Sequence, residues 1–157
     1  MTRYSALVVL IPLLFLLAGE TRAEGGVECV QKQCEAKGRS CVEALYVTHD
    51  ACMKAGNKKC STVQPAEKFN CLKTELKPCA QTRNAEQDAC LESVRSCYAS
   101  CGPFEAGRAD FWCVGDLGTK TTGAFCVADP KDARLMDQCD KAFSSEGQVG
   151  SMTCDSL

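Results

Sequence analysis

His49 is the single imidazole in this chain of 157 residues. A hydrolase built on a serine or cysteine nucleophile commonly needs such a group as its base. No serine lies in a G-x-S-x-G turn, and the fourteen cysteines form an even count that leaves none obviously unpaired. His49 therefore reads as an ordinary residue of a helix. Glu86 with Asp88, and Glu67 with Glu75, are the acid pairs to weigh for glycoside hydrolysis. That chemistry needs a cleft holding two carboxyls at a defined separation, and acids early in a helix already favour its positive end. Residues 129–132 lack the alternating acidic pattern of a calcium loop. Neither a phosphate-cradling glycine loop nor an N-x-S/T sequon occurs. No catalytic residue, metal ligand or cofactor is assigned, and the expectation is a protein that is not an enzyme.

The remaining chemistry belongs to the cysteines: Cys29, Cys34, Cys41, Cys52, Cys60, Cys71, Cys79, Cys90, Cys97, Cys101, Cys113, Cys126, Cys139 and Cys154. Structural zinc favours C-x-x-C pairs or histidines, whereas the tightest pair here is Cys97-x-x-x-Cys101. Disulfides are the alternative, and the amino terminus supports them. Arg3, an apolar run over 6–17 and Thr21-Arg22-Ala23 form the pattern of a secretory signal peptide spanning 1–23. The apolar run is shorter than the roughly 20 residues that cross a bilayer, and the last ten residues lack a lipid-anchor tail. A secreted, extracellular protein with all fourteen cysteines in disulfides is expected.

Removing 1–23 takes away Arg3, Glu20 and Arg22, leaving 16 basic against 19 acidic residues and a net charge of −3. No run of either sign stands out, and pairs such as Lys58-Lys59 are too small for nucleic acid or an anionic membrane surface. The mature chain has no isoleucine. Cystines are expected to replace much of the packing of an apolar core.

The elements that carry these cysteines follow from their spacing. Between Cys41 and Cys97 the intervals hold ten, seven, ten, seven, ten and six residues, so Cys41, Cys60 and Cys79 recur every nineteen positions, as do Cys52, Cys71 and Cys90. Eleven residues advance a helix about three turns, with the ends about 20° apart in azimuth and about 16 Å apart along the axis. Each C-x10-C unit is thus a short rod with a cysteine near each end. Four helices are predicted before Gly102: 27–37, stopped by Gly38; 40–55, capped by Ser40 and stopped by Gly56; 65–77, opened by Pro65 and ended before Pro78; and 84–101, opened by an Asn84/Gln87 capping box. Cys41, Leu45, Thr48 and Cys52 line one stripe of the second, and Phe69, Leu72 and Leu76 give the third an apolar face. Antiparallel packing of successive rods would bring Cys52 towards Cys60 and Cys71 towards Cys79, with Cys41 meeting Cys71 or Cys60 meeting Cys90; connectivity stays open. The echo of Ala51-Cys52-Met53-Lys54 in Asn70-Cys71-Leu72-Lys73 and Ala89-Cys90-Leu91-Glu92 suggests a weak internal repeat.

After Gly102 the texture turns to glycine, threonine and aspartate. Residues 111–114 and 124–127 favour strands, making a small hairpin around a nine-residue loop over 115–123. A last helix is predicted, capped by Asp129, opened by Pro130, lined by Leu135, Cys139, Ala142 and Phe143 and ended at Gly147, followed by an irregular tail tied down through Cys154. The fold class is therefore mainly α and disulfide-rich: four short antiparallel cystine-linked helices over 24–102, then a looser cystine-framed part over 103–157, together a single domain over 24–157.

The functional expectation is a secreted, non-enzymatic, disulfide-stapled protein that binds an extracellular macromolecule as a ligand, effector, toxin-like or inhibitory protein, the partner being a protein or receptor. Two alternatives are a helical carrier of a small apolar ligand and a durable extracellular matrix or granule component. The residues assigned to partner contact are Trp112, Asp116, Leu117, Thr119, Lys120 and Thr121 in and beside the 115–123 loop, with Lys120 near its tip. For Trp112 a packing role competes with that of an exposed anchor.

Overall fold

A computed structural model describes residues 26–104, 107–129 and 131–157. The segment 1–23 and Pro130 lie outside the described residues, and with them the signal peptide and the proline start of the last helix. The backbone is helical from residue 26, passes through a π-helical turn at Val30–Glu35 and continues as α1, Ala36–Cys60. After a short connection α2, Pro65–Cys101, runs back for 37 residues, about 55 Å at the α-helical rise. Two long helices thus replace the four short ones expected before Gly102.

Every disulfide between them is a rung of one antiparallel ladder: Cys29–Cys101, Cys34–Cys97, Cys41–Cys90, Cys52–Cys79 and Cys60–Cys71. From Cys34–Cys97 to Cys60–Cys71 the residue numbers of each pair add to the same value, so the hairpin is in strict register. Cys34, Cys41, Cys52 and Cys60 are 7, 11 and 8 positions apart; Cys71, Cys79, Cys90 and Cys97 repeat this in reverse as 8, 11 and 7. The metre is a palindrome about the turn, not a repeat along the chain. None of the pairings suggested by successive short rods forms. At the open end Cys29 and Cys34 are five residues apart, a spacing that an α-helix would splay by about 140°. The π turn has more residues per turn and brings both cysteines towards α2.

The expected breaks fail for steric reasons. A Cβ on Gly38 would lie 2.6 Å from Val94 Cγ2 and from Trp112 Cη2, and one on Gly56 would lie 2.6 Å from Leu76 Cδ2. These glycines are points of close approach inside α1 rather than stops. Eighteen residues separate them, about five turns, so both occupy the face turned to α2. Pro78 sits inside α2 on its exposed side, next to the Cys52–Cys79 clamp. Pro65 does open α2. Ser40, Asn84 and Gln87 lie in helix interiors and cap nothing.

Beyond Gly102 the chain forms β1, Asp110–Asp116, β2, Thr121–Val127, and β3, Ser151–Ser156, an antiparallel sheet ordered β2-β1-β3. The predicted hairpin is present, extended on both sides. The predicted irregular tail is instead an edge strand, with Cys113 directly opposite Cys154 and disulfide-bonded to it. The last helix is shorter than expected: α3, Leu135–Asp140, followed by a 3₁₀ turn, Lys141–Phe143.

Strand alternation divides the core between two faces. Trp112, Val114 and Phe125 face the helical hairpin, where Trp112 is buried with Val42 and Val94. Cys113, Ala124 and Cys126 face the other way, onto Cys139 and Phe143, and Cys126–Cys139 ties β2 to α3. Gly123 makes the Trp112 plug possible, because a Cβ there would lie 2.1 Å from Trp112 Cζ2. Among the described residues, the large buried apolar side chains of the hairpin, Val30, Val42, Leu45 and Val94, all lie on the open-end side of the Cys52–Cys79 rung. From Cys52 to Cys79 only Gly56, Cys60 and Cys79 are buried.

Candidate interaction surfaces

The residues assigned to partner contact do not form an exposed loop. Asp116 and Thr121 are the last paired positions of β1 and β2, leaving a turn of Leu117, Gly118, Thr119 and Lys120. It is closed by Leu117 N–H donating to the Lys120 carbonyl at 2.9 Å and by Gly118 N–H donating to Asp116 Oδ1 at 2.8 Å. Gly118 has φ +78, which suits glycine. Only Gly118 and Thr119 are exposed. Trp112, at 1% exposure, is a core plug, and Thr121 is buried.

Lys120 is held by the fold itself. Its ammonium pairs with Glu146, which also takes the Arg39 guanidinium, and Arg39 donates to Glu35 at 2.8 Å. Burial alone would raise the Glu146 carboxyl, but the hydrogen bond from Lys120 and the charge of Arg39 outweigh it and hold the group below its ordinary range. This chain of charges clamps the β1–β2 turn to the first part of α1. A second junction lies at the other end of β1. The Tyr98 hydroxyl donates to Asp110, Arg108 Nε donates to both Asp110 oxygens at 2.8 and 2.7 Å, and Phe104 stacks on Tyr98 with centroids 4.2 Å apart. Burial, and then the bond to Asp110, push the Tyr98 phenol well above its usual range.

The groups weighed for catalysis remain apart. His49 is half-buried, and its Nδ1 is buried without a hydrogen-bond partner among the described residues. Glu67 and Glu75 are eight residues apart on one helix, about 12 Å along the axis, and Glu75 is paired with Lys59 at 2.8 Å. Glu86 and Asp88 are exposed. Two groups of three sulfurs lie within 4.8 Å of one another, Cys34, Cys97 and Cys101, and Cys113, Cys126 and Cys139. Every one is committed to a disulfide. An open groove of about 320 Å³ lies between the helices, lined by Ala44, Leu45, Thr48, Glu86 and Ala89.

The distal end of the hairpin carries a surface that the linear order concealed. Residues 51–81 hold Lys54, Lys58, Lys59, Lys68, Lys73 and Lys77 against Glu67 and Glu75, six minus two, a net +4. Residues 82–157 hold 7 basic and 12 acidic residues, a net −5. All six lysines are exposed. Folding at the turn returns the segment that carries Lys68 and Lys73 alongside the one that carries Lys58 and Lys59, and the Cys60–Cys71 rung holds the two together. Phe69, expected on an apolar helix face, is 75% exposed instead. From Gly38, beneath the Trp112 plug, α1 extends 22 residues to Cys60, about 33 Å. No helix among the described residues is long and apolar enough to cross a membrane. No known protein family matches the chain, nor does any curated protein or solved structure.

Proposed function

We propose that the protein is secreted, is not an enzyme, and binds an acidic extracellular macromolecule through the distal tip of its helical hairpin. The observation that carries this reading is Phe69, 75% exposed within a tip that carries net positive charge. Phe69 is the most exposed large apolar side chain among the described residues, and aromatic side chains are recurrent anchors of interfaces. The cystine ladder supports the reading energetically. A tip already ordered by Cys52–Cys79 and Cys60–Cys71 loses little freedom on association. The lysines supply attraction over the Debye length, about 8 Å at physiological salt. Seven disulfides fit an oxidising, extracellular setting.

The test is retention, by the immobilised protein, of a component of the medium or cell surface into which it is released. Phe69→Ser combined with Lys68→Glu should abolish retention, and added salt should weaken it. Thr119→Glu, on the exposed turn of the sheet, should leave it intact. Equal retention by the tip variant, or loss only with Thr119→Glu, would overturn the assignment.

A further inference from the structure

Five arginines lie among the described residues, and four are engaged: Arg39 with Glu35 and Glu146, Arg95 with the Ser156 carbonyl, Arg108 with Asp110, and Arg134 with Asp132. Arg83 is half-buried and makes no hydrogen bond or ion pair among the described residues. It lines a pocket of about 90 Å³ between α2 and the sheet, together with Gln87, Asp116, Thr121, Ser151 and Thr153. A guanidinium on a pocket wall with no protein partner among the described residues keeps its donors available to an anion.

The opposite wall is built by the sheet register. Trp112, Val114 and Asp116 share the face of β1 turned to the hairpin. Asp116 lies opposite both Thr121 and Ser151, and Val114 lies opposite Thr153. The face is apolar around Trp112, then becomes polar where it reaches Arg83. Among the described residues, no side-chain hydrogen bond engages Gln87, Thr121, Ser151 or Thr153. The Asp116 carboxylate accepts from Gly118 N–H through Oδ1, and Oδ2 takes no hydrogen bond among the described residues.

We infer that this pocket binds a small amino acid, with the carboxylate on Arg83 and the ammonium on Asp116. A guanidinium presents a planar fork that matches a carboxylate with two parallel N–H···O bonds. The Gln87 amide and the three hydroxyls add donors to the same anion. Asp116 provides an acceptor for the ammonium and repels phosphate or sulfate dianions. At about 30 Å³ for each water displaced the pocket holds the volume of about three waters, which restricts the ligand to the smallest amino acids. The site is independent of the lysine-bearing tip, and failure of either assignment leaves the other standing.

The experiment is amide chemical-shift titration of the isotope-labelled, disulfide-intact protein with alanine, acetate and phosphate. Alanine should give saturable shifts at Asp116, Thr121, Ser151 and Thr153. Arg83→Met should weaken it about tenfold or more, the loss of a charge-assisted pair. Arg83→Lys, which keeps the charge and loses the fork, should weaken it less. Asp116→Asn should reduce alanine to the level of acetate. Absence of saturable shifts with alanine, an unchanged affinity in Arg83→Met, or tighter binding of phosphate than of alanine would each overturn the assignment. Unchanged shifts of the β3 amides in the free variants establish that the sheet is intact.

Discussion

Replacing both cysteines of one rung, Cys52→Ala with Cys79→Ala, should loosen the distal hairpin and little else. Removing both partners avoids a thiolate that could attack neighbouring rungs. With Cys60–Cys71 closing the tip, Cys52–Cys79 closes a ring made of residues 52–60 and 71–79, about 18 residues, which the chain-entropy estimate values at about 3 kcal/mol. Little packing offsets that loss. Leu72 and Leu76 are only half-buried, and the Gly56–Leu76 approach and the Lys59–Glu75 pair are the main further ties. The expected reading is native-state hydrogen exchange: amides of 67–78 should exchange about 100-fold faster, since each 1.4 kcal/mol is about tenfold. Amides of β1, β2 and β3 should change far less, because their core lies around Val42, Val94 and Trp112 and on Cys139 and Phe143, at the Cys41–Cys90 rung that stays closed and away from the tip. A rise below about fivefold in 67–78, or an equal rise in the sheet, would refute the view that cystines substitute for a core in the distal half.

Gly38→Ala should destabilise the protein by about 1 kcal/mol or more, followed by denaturant unfolding of the Trp112 emission: overpacking against fully buried Val94 and Trp112 outweighs a helix-propensity gain of up to about 1 kcal/mol. Gly56→Ala should cost less, because the clashing atom is the end of the half-buried Leu76 side chain. Asp110→Asn should lower the Tyr98 titration midpoint in a difference-absorbance experiment, since the bond to Asp110 is one of the causes that raise it. Glu146, with its folded-state value depressed, contributes stability that is present above the ordinary carboxylate range and is lost as pH falls through the lowered value. Unfolding of Glu146→Gln should accordingly lack part of the acid limb seen for the wild type.

The cysteines carried more of the fold than their repeat suggested. Intervals of 11, 8, 11, 8 and 11 are periodic and palindromic at once, so they fit successive rods and a single hairpin equally. The deciding signal lies in the flanks: the 7-residue steps from Cys34 to Cys41 and from Cys90 to Cys97 break the period and complete the palindrome. Gly38, Gly56 and Pro78 misled because local propensity treats them as punctuation, whereas close helix approach and cystine clamps override it. The β1–β2 pair was legible from 111–114 and 124–127, while β3 was not, since Ser151–Ser156 is a polar edge strand whose pairing depends on distant β1. The lysine tip and the Arg83 pocket were hidden for one common reason. Each joins residues separated in sequence, across the 61–64 turn in one case and between α2 and the sheet in the other.

Disulfide mapping of the oxidised protein by peptide mass spectrometry, digested without reduction, tests the in-register hairpin most directly. The ladder predicts peptides joining Cys34 to Cys97, Cys41 to Cys90, Cys52 to Cys79 and Cys60 to Cys71. Recovery of Cys52 joined to Cys60, or of Cys71 joined to Cys79, would contradict it and remove the rigid rod on which the tip depends.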